Sequence, residues 1–538
     1  TKEKFIFPKT PFHSMSSKKE SSTKEKLTRR QALSTAGKVA LSAVIAGVIA
    51  GVGGYYAGAQ AAPVKTVTTE KTVEKTVTAP GAATTVTAPG AATTVTKTVT
   101  KTKTVTTSAA VTTPTVDWKP WADEIRRKYG GTKINCAMAA TVATEALEKL
   151  VPEFTSATGI EPVFDTISDV YLEDKILAAP DKYDVLMVDF FWIPTFVAKE
   201  IVVDLTPWLE DPKKTPEWFD YEDIHPSYRE SCKFKDFIAT IPIAGESRVI
   251  TYRKDLMEKY GQEYPKNLEE LYELASFFNQ KEPDLCGWVQ RQNPPLALSG
   301  FMEHALFEIG DGFWDPRTYE ILINTPDSVK ALEYYVSMCD LGPPGHESMG
   351  WEEAASTFMA GYAALGSHTT AVAPWLEDPE KSKVAGKIEY RAPPPGPKGW
   401  YCAVAGWSLG LSAKASEEKR EAAWAFITWM TSKLKAKDYI LNGGVVTRLS
   451  NFADPELNAK YPYFKGIKQC LDGAKNLIDM AKAGYKTTWI PQEPLFGDIY
   501  GRVTPIIGMA VAHQLSPEEA CNKAAEEIER IFREAGKI

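Results

Sequence analysis

The stretch YDVLMVDFFWIPTF occupies positions 183–196. Val185, Leu186, Met187 and Val188 make an unbroken apolar run that stops at Asp189. Phe190, Phe191 and Trp192 follow at once. A short apolar run of this kind predicts a strand buried on both faces, as in a parallel sheet. Three large rings where a strand leaves its sheet have two physical uses. They fill a core, or they offer a flat apolar surface to a ligand. The neighbouring sequence decides between them.

On the N-terminal side, residues 118–131 predict a short amphipathic helix and KINCAMAA (133–140) a buried strand. In TEALEKLVPEFTSATGI (144–160), Leu147, Leu150, Val151 and Phe154 recur at helical spacing, with Thr144 as the expected N-cap and Glu145 in the first turn. EPVFDTI (161–167) predicts a second strand and DVYLEDKILAA (169–179) a second helix. The opening stretch supplies the third strand, and WIPTFVAKEIVVDL (192–205) is expected to continue as helix. Strands alternating with helices imply βαβ units and a mostly parallel sheet covered on both faces. Ligands of such sheets bind beyond the carboxyl ends of the strands, where the three rings fall.

A chain of 538 residues is long enough for more than one core. Its charge is divided unevenly. Residues 1–116 carry 16 Lys/Arg and 5 Asp/Glu, whereas the remainder carries 46 and 64. The acidic remainder excludes nucleic acid as a natural partner. Seven cysteines are scattered singly, without a CxxC pair or a His at zinc-ligand spacing, so neither metal nor cofactor is expected. The odd count leaves at least one thiol unpaired unless it bridges to another chain.

Residues 1–38 form a basic leader with ten Lys/Arg, and the apolar segment 39–61 has no charge between Val39 and Gly58. A basic flank before such a run is expected to direct export. Arg29-Arg30 resembles a twin-arginine signal, and Ala59-Gln60-Ala61 offers a cleavage site. Uncleaved, the run is long enough to anchor the chain in a membrane. Residues 62–116 hold 21 Thr and two tandem copies of TAPGAATTV, at 78–86 and 87–95. This composition predicts a disordered extended stalk, with glycosylation expected on its threonines. An extracellular, cell-surface domain is therefore expected from residue 117 onward.

The order of motifs from residue 130 on resembles the extracellular solute-binding proteins of ABC importers, the maltose-binding-like family. The resemblance rests on LEKLVPEFTSATGIEPVF, on the opening stretch, and on IATIPIAGESRVITYRKDLMEKYGQEYPKNLEELYELASFF. It continues through FMAGYAALGSH, AVAGWSLGLSAKASEEKREAAWAFITWMTS and the closing LSPEEACNKAAEEIERIF. It implies a two-lobe α/β periplasmic-binding-protein-like fold of type II. The first lobe would hold about 130–242 and 393–443, the second about 246–390 and 445–538. It also implies capture of a sugar or oligosaccharide by hinge closure, and a partnership with a membrane permease and its separate ATPase.

A sugar offers an apolar C–H face to aromatic rings and a hydroxylated rim to planar polar groups. All 14 Trp lie beyond residue 117. On the first lobe the expected ligand contacts are Asp189, Phe191, Trp192 and, in the returning strand, Trp407. Glu246 follows the crossover strand. On the second lobe they are Trp288, Gln290 and Arg291 in CGWVQRQN, then His368 and Trp375. Gln492 and Tyr500, in a C-terminal segment that also holds Trp489, complete the set. Phe190, Trp424 and Trp429 are expected in the core, and Arg448 in a structural role. GWSLG (406–410) fits the nucleophile-elbow spacing, but no helix begins at its serine, so no hydrolase is expected from it. Two other classes fit parts of the sequence. A surface-anchored glycoside hydrolase would use Asp189 and Glu246 as its carboxylate pair. A cell-surface adhesion protein is suggested by the stalk alone.

Overall fold

The computed structural model describes residues 117–482 and 491–538. The leader, apolar segment and stalk (1–116) lie outside the described residues, as does Trp489. The described chain builds two α/β lobes on sheets that share one strand. In chain order the strands are β1 (Lys133–Ala139), β2 (Glu161–Ile167), β3 (Val185–Asp189), a small hairpin β4–β5 (Lys233–Phe234, Phe237–Ile238), β6 (Ile241–Arg253) and β7 (Cys286–Val289). They continue with β8 (Ala363–Thr369), β9 (Ile388–Arg391) and β10 (Val404–Leu411).

The first sheet runs β2–β1–β3–β10–β6. β1, β2 and β3 are mutually parallel, and β10 lies antiparallel to both β3 and β6. The second sheet pairs the far half of β6 with β9 on one side and β8 on the other, and β7 lies parallel beyond β8. The thirteen residues of β6 thus begin in one lobe and end in the other. Residues 241–247 pair with β10 and 248–253 with β8 and β9.

Where β6 meets β10 the register slips between Trp407 and Ser408. Two glycines permit it. Gly406 has φ +146°, and a Cβ there would lie 2.1 Å from the Ala244 carbonyl oxygen. A Cβ on Gly245 would lie 2.4 Å from the Tyr228 ring. Such a slip re-aims the side chains beside it. The Ser408 hydroxyl donates to the Val188 carbonyl at 2.9 Å inside the sheet, so it presents no nucleophile.

Two local expectations are corrected. The first long helix is Val142–Thr158, and its N-cap is Thr141 rather than Thr144. Thr144 is buried, and its hydroxyl donates to the Ala139 carbonyl at 2.6 Å. The helix expected over 192–205 is a 3₁₀ turn, Phe190–Trp192, followed only by Ile193–Ala198. Glu200 turns left-handed at φ 53°, and the β-branched run after it goes extended, with Val202 bridging Ser412 and the Val203 N–H donating to Leu411. Sheet-edge pairing offers Ile, Val and Val a better fit than another helical turn.

The first lobe's core is aromatic. On the helix Glu417–Thr431, Trp424 and Trp429 are fully buried. Trp429 is met edge-on by Trp118 at 4.9 Å and stacked by Trp121 at 5.8 Å, which docks the leading helix Lys119–Tyr129. After Gly444, where the second lobe was expected to resume, the chain first stays against the first lobe. Ile224 bridges Arg448, and the Arg448 guanidinium donates to the carbonyls of Thr431, Phe219 and Asp220 and pairs with Asp223 at 3.5 Å. The helix Phe464–Lys482 then packs on β6 and β9.

Arg448 is fully buried, so its removal takes a donor from three carbonyls and the buried cation from Asp223, which keeps its bonds from Ser450. Arg448→Ala is expected to cost about 3–5 kcal/mol of unfolding free energy. Denaturant titration checks this, and the ligand affinity of the folded fraction should stay unchanged.

Candidate ligand-binding cleft

Between the lobes lies a cleft of about 760 Å³. The carboxyl ends of β1 and β3 open into it from the first lobe, and those of β7 and β8 from the second. The middle of β6 forms its floor. At the end of β3, Asp189 caps the turn that carries the rings, its Oδ1 accepting from the Phe191 N–H at 2.9 Å. That cap fixes where the chain turns. Phe190 goes into the core, while Phe191 and Trp192 line the cleft.

The rings fall into three groups. Trp192 and Trp407 meet edge to face at 5.3 Å on the first lobe. Trp351 and Trp375 stack at 5.7 Å on the second. Phe191 stacks on Phe496 at 6.0 Å and lies 6.5 Å from Tyr500, joining the first lobe to the helix Phe496–Val511. The Thr195 hydroxyl donates to the Pro494 carbonyl at 2.9 Å beside that junction. Tyr500 shares a hydrogen bond with the Ser299 hydroxyl at 2.8 Å.

The floor is charged. Glu246 and Arg248 alternate on β6, so both side chains rise on one face. They lie 3.7 Å apart, and Glu246 also accepts from the Thr369 hydroxyl. Glu303 sits on a π-helical turn, Met302–Leu306, between two arginines. It pairs with Arg248 at 2.6 Å and with Arg291. Around this array the cleft is acidic, with eight carboxylate side chains among its lining against two guanidinium groups. Burial lifts the Glu173 carboxyl to about 7, and the nearby charges of Asp189 and Asp174 add to the effect. Burial also lifts Asp189 to about 7. The Phe191 N–H opposes that rise and the charge of Glu246 adds to it. Among the described residues no group of three or more His, Cys, Asp or Glu is arranged to hold a metal ion.

Of the twelve residues expected to contact ligand, eight line the cleft: Asp189, Phe191, Trp192 and Glu246, then Arg291, Trp375, Trp407 and Tyr500. Four do not. Trp288 is buried on β7, facing the second lobe's interior. Gln290 is also buried, and its amide donates to the Cys339 sulfur at 3.1 Å. His368 lies beneath the floor against the Phe358 ring at 5.3 Å, where burial holds its imidazole well below the usual range, at about 3. Gln492 is exposed outside the cleft lining. Sequence reasoning missed Arg248, Trp351 and Glu173. The first had a signal, since it stands two residues after Glu246 on a strand.

A ligand-sized gap between two hinged α/β lobes, with apolar rings from each and polar groups beneath, defines a binding protein that encloses a solute. The chain belongs to the bacterial extracellular solute-binding protein family, which matches over residues 140–434. It is 27% identical over 351 residues to the mannitol-binding protein of Pseudomonas aeruginosa, covering 61% of this chain and 77% of that one. It is 24% identical over 407 residues to the erythritol/L-threitol-binding protein of Mycolicibacterium smegmatis, covering 70% and 83%. The structure of an ABC transporter solute-binding protein from Agrobacterium radiobacter in complex with ribitol superposes with a TM-score of 0.67 at 25% identity. That match covers 75% of this chain and all of that one. Among the described residues no helix is long and apolar enough to cross a membrane.

Glu173 and Asp189 titrate near 4 in an unfolded chain and near 7 here. Between those values the folded protein holds protons that the unfolded chain has lost. Their stabilising effect is therefore present at the acid end and disappears as pH rises through about 7. Neutral isosteres lose that dependence. The melting temperatures of Glu173→Gln and Asp189→Asn, taken relative to wild type, should be higher at pH 8 than at pH 5.5. Thermal melts at the two values check it, and equal differences would refute the burial of these carboxyls.

Proposed function

We propose that this chain captures a neutral polyol or a small sugar in the interlobe cleft and delivers it to a membrane permease driven by a separate ATPase subunit. The observation that carries the reading is the composition of the cleft: indole faces on both lobes above a floor of paired carboxylates and guanidinium groups. A polyol hydroxyl both donates and accepts, so neighbouring hydroxyls pair with the carboxylates of Asp189 and Glu246 and with the donors of Arg291. The carbon chain then lies against Trp192 and Trp407 from one side and against Trp375 from the other. A volume of about 760 Å³ is in the ordinary range for a small-molecule site. Relatives that bind mannitol, erythritol or L-threitol, and ribitol, support a linear polyol over a long oligosaccharide. The acidic lining supports an uncharged ligand, because a sugar acid would meet like charge at close range.

In this reading the protein is a carrier, and its ligand leaves chemically unchanged. The experiment is a melting-temperature panel of mannitol, ribitol, erythritol, maltose and glucuronate, with the solute recovered and identified afterwards. At least one neutral polyol should raise the melting temperature in proportion to ln(1 + [L]/Kd) and be recovered intact. Glucuronate should bind at least about tenfold more weakly. A cleaved glycoside would move the assignment to a hydrolase. No response to any neutral solute would overturn it. Trp192→Ala and Trp407→Ala should each weaken the responding ligand by roughly tenfold or more, with the fold retained.

A further inference from the structure

Outside the cleft lining, two thiols meet where the chain passes between the lobes. Cys402 lies in the segment that leads from β9 of the second sheet back to β10 of the first. Cys470 lies on the helix Phe464–Lys482, which packs against β6, β9 and the first-lobe helix Pro226–Ser231, so that it straddles the crossing. Its Sγ–H donates to the Arg248 carbonyl at 3.1 Å, at the point where β6 leaves one sheet for the other. One turn further along that helix, a Cβ on Gly473 would lie 2.6 Å from the Cys402 sulfur. Cys402 is thus seated in a notch that Gly473 leaves one turn from Cys470, close enough for the two thiols to influence each other. Other thiols contact different chemistry. Cys339 takes the Gln290 amide, and Cys286 the Tyr362 carbonyl.

We propose that Cys402 and Cys470 join as a disulfide in the exported protein, stapling the returning segment to the helix behind the hinge strand. Members of this family work outside the cytoplasm, where thiols are not kept reduced. The step is thiol–disulfide exchange with an exported protein disulfide or a small-molecule disulfide. One thiolate attacks that disulfide and forms a mixed disulfide. The second thiolate then displaces the carrier sulfur. The Cys402–Cys470 bond forms, and the external disulfide takes up the two electrons and the two thiol protons and leaves as a pair of thiols. Both sulfurs are buried in the folded chain, and burial pushes the Cys402 thiol up, so the exchange belongs to folding, before the helix closes over Cys402. The bond closes a loop of about 70 residues, long enough for the cross-link to restrict the unfolded chain substantially. In the folded protein it ties a crossing segment to the helix under Arg248, so the hinge bends about a fixed point.

The test uses the whole chain exported to an oxidising compartment and purified without reductant. It is denatured, its free thiols are alkylated, and its peptides are mapped by mass spectrometry before and after reduction. A linked pair of peptides containing Cys402 and Cys470 is expected, with the other five cysteines alkylated. Alkylation of all seven, or linkage of a different pair, overturns the proposal. A second measurement needs no variant. Reductant should lower the wild-type melting temperature by several degrees. In Cys402→Ser/Cys470→Ser, reductant should change nothing. An equal fall in the double variant would also overturn the proposal.

Discussion

One strand belongs to both sheets, and most of what the cleft can do follows from that. β6 gives its first half to β10 and its second to β8 and β9, so relative motion of the lobes must bend this extended strand. The side chains at the change of partner, Glu246 and Arg248, stand on the floor of the cleft. A solute resting on them touches the hinge itself. The register slip opposite, and the two glycines that permit it, place Trp407 beside Trp192 from the neighbouring strand. Geometry that a regular ladder would forbid therefore supplies both the flexible point and the stacking surface.

The floor also shows why charges are buried there. A lone guanidinium or carboxylate taken out of water is costly, and Glu303 set between Arg248 and Arg291 offsets much of that cost for all three. With its excess positive charge already paired, the array contributes directional donors rather than a cationic field. The field in the cleft is set by the carboxylates around it. Direction without net attraction for anions is what recognition of a hydroxylated, uncharged molecule requires.

Much of this architecture is legible in the sequence because parallel strands buried on both faces read as continuous apolar runs, and β1 and β3 do so. The cleft end of β3 is legible for the same reason: Asp189 and the rings after it interrupt the run abruptly. Helix boundaries are less so. Thr141 and Thr144 are both good caps by type, and only the packing of Ala139 against the Thr144 hydroxyl separates them. Site residues on the second lobe were hardest. Trp288 and Trp375 look alike in sequence, yet strand register turns one inward and a 3₁₀ turn, Thr370–Val372, aims the other at the gap. Glu173 reads as one acid on a solvated helix face. Its setting comes from the fold: the carboxyl lines the cleft and faces Gly497 on the helix Phe496–Val511 of the opposite lobe.

That approach bears on how the lobes discriminate between an empty and an occupied cleft. Glu352 on the second lobe is raised by burial, by Glu353 and by the charge of Asp169 on the first. Glu173 is likewise raised in part by Asp498 across the gap. Carboxylates thus face carboxylates at two places between the lobes. Narrowing the gap with nothing in it strengthens both repulsions and removes water from the charges, and both terms oppose closure. On the proposed reading a polyol chain reverses the balance: its hydroxyls would donate to carboxylates on either side while its carbons filled the space between the indoles. A ligand shifts a two-state equilibrium only by its differential affinity for the two states. Here the difference is built from both directions: the apolar faces are complete only when the lobes meet, and the acidic rims tolerate meeting only when something neutral and hydrogen-bonding lies between them.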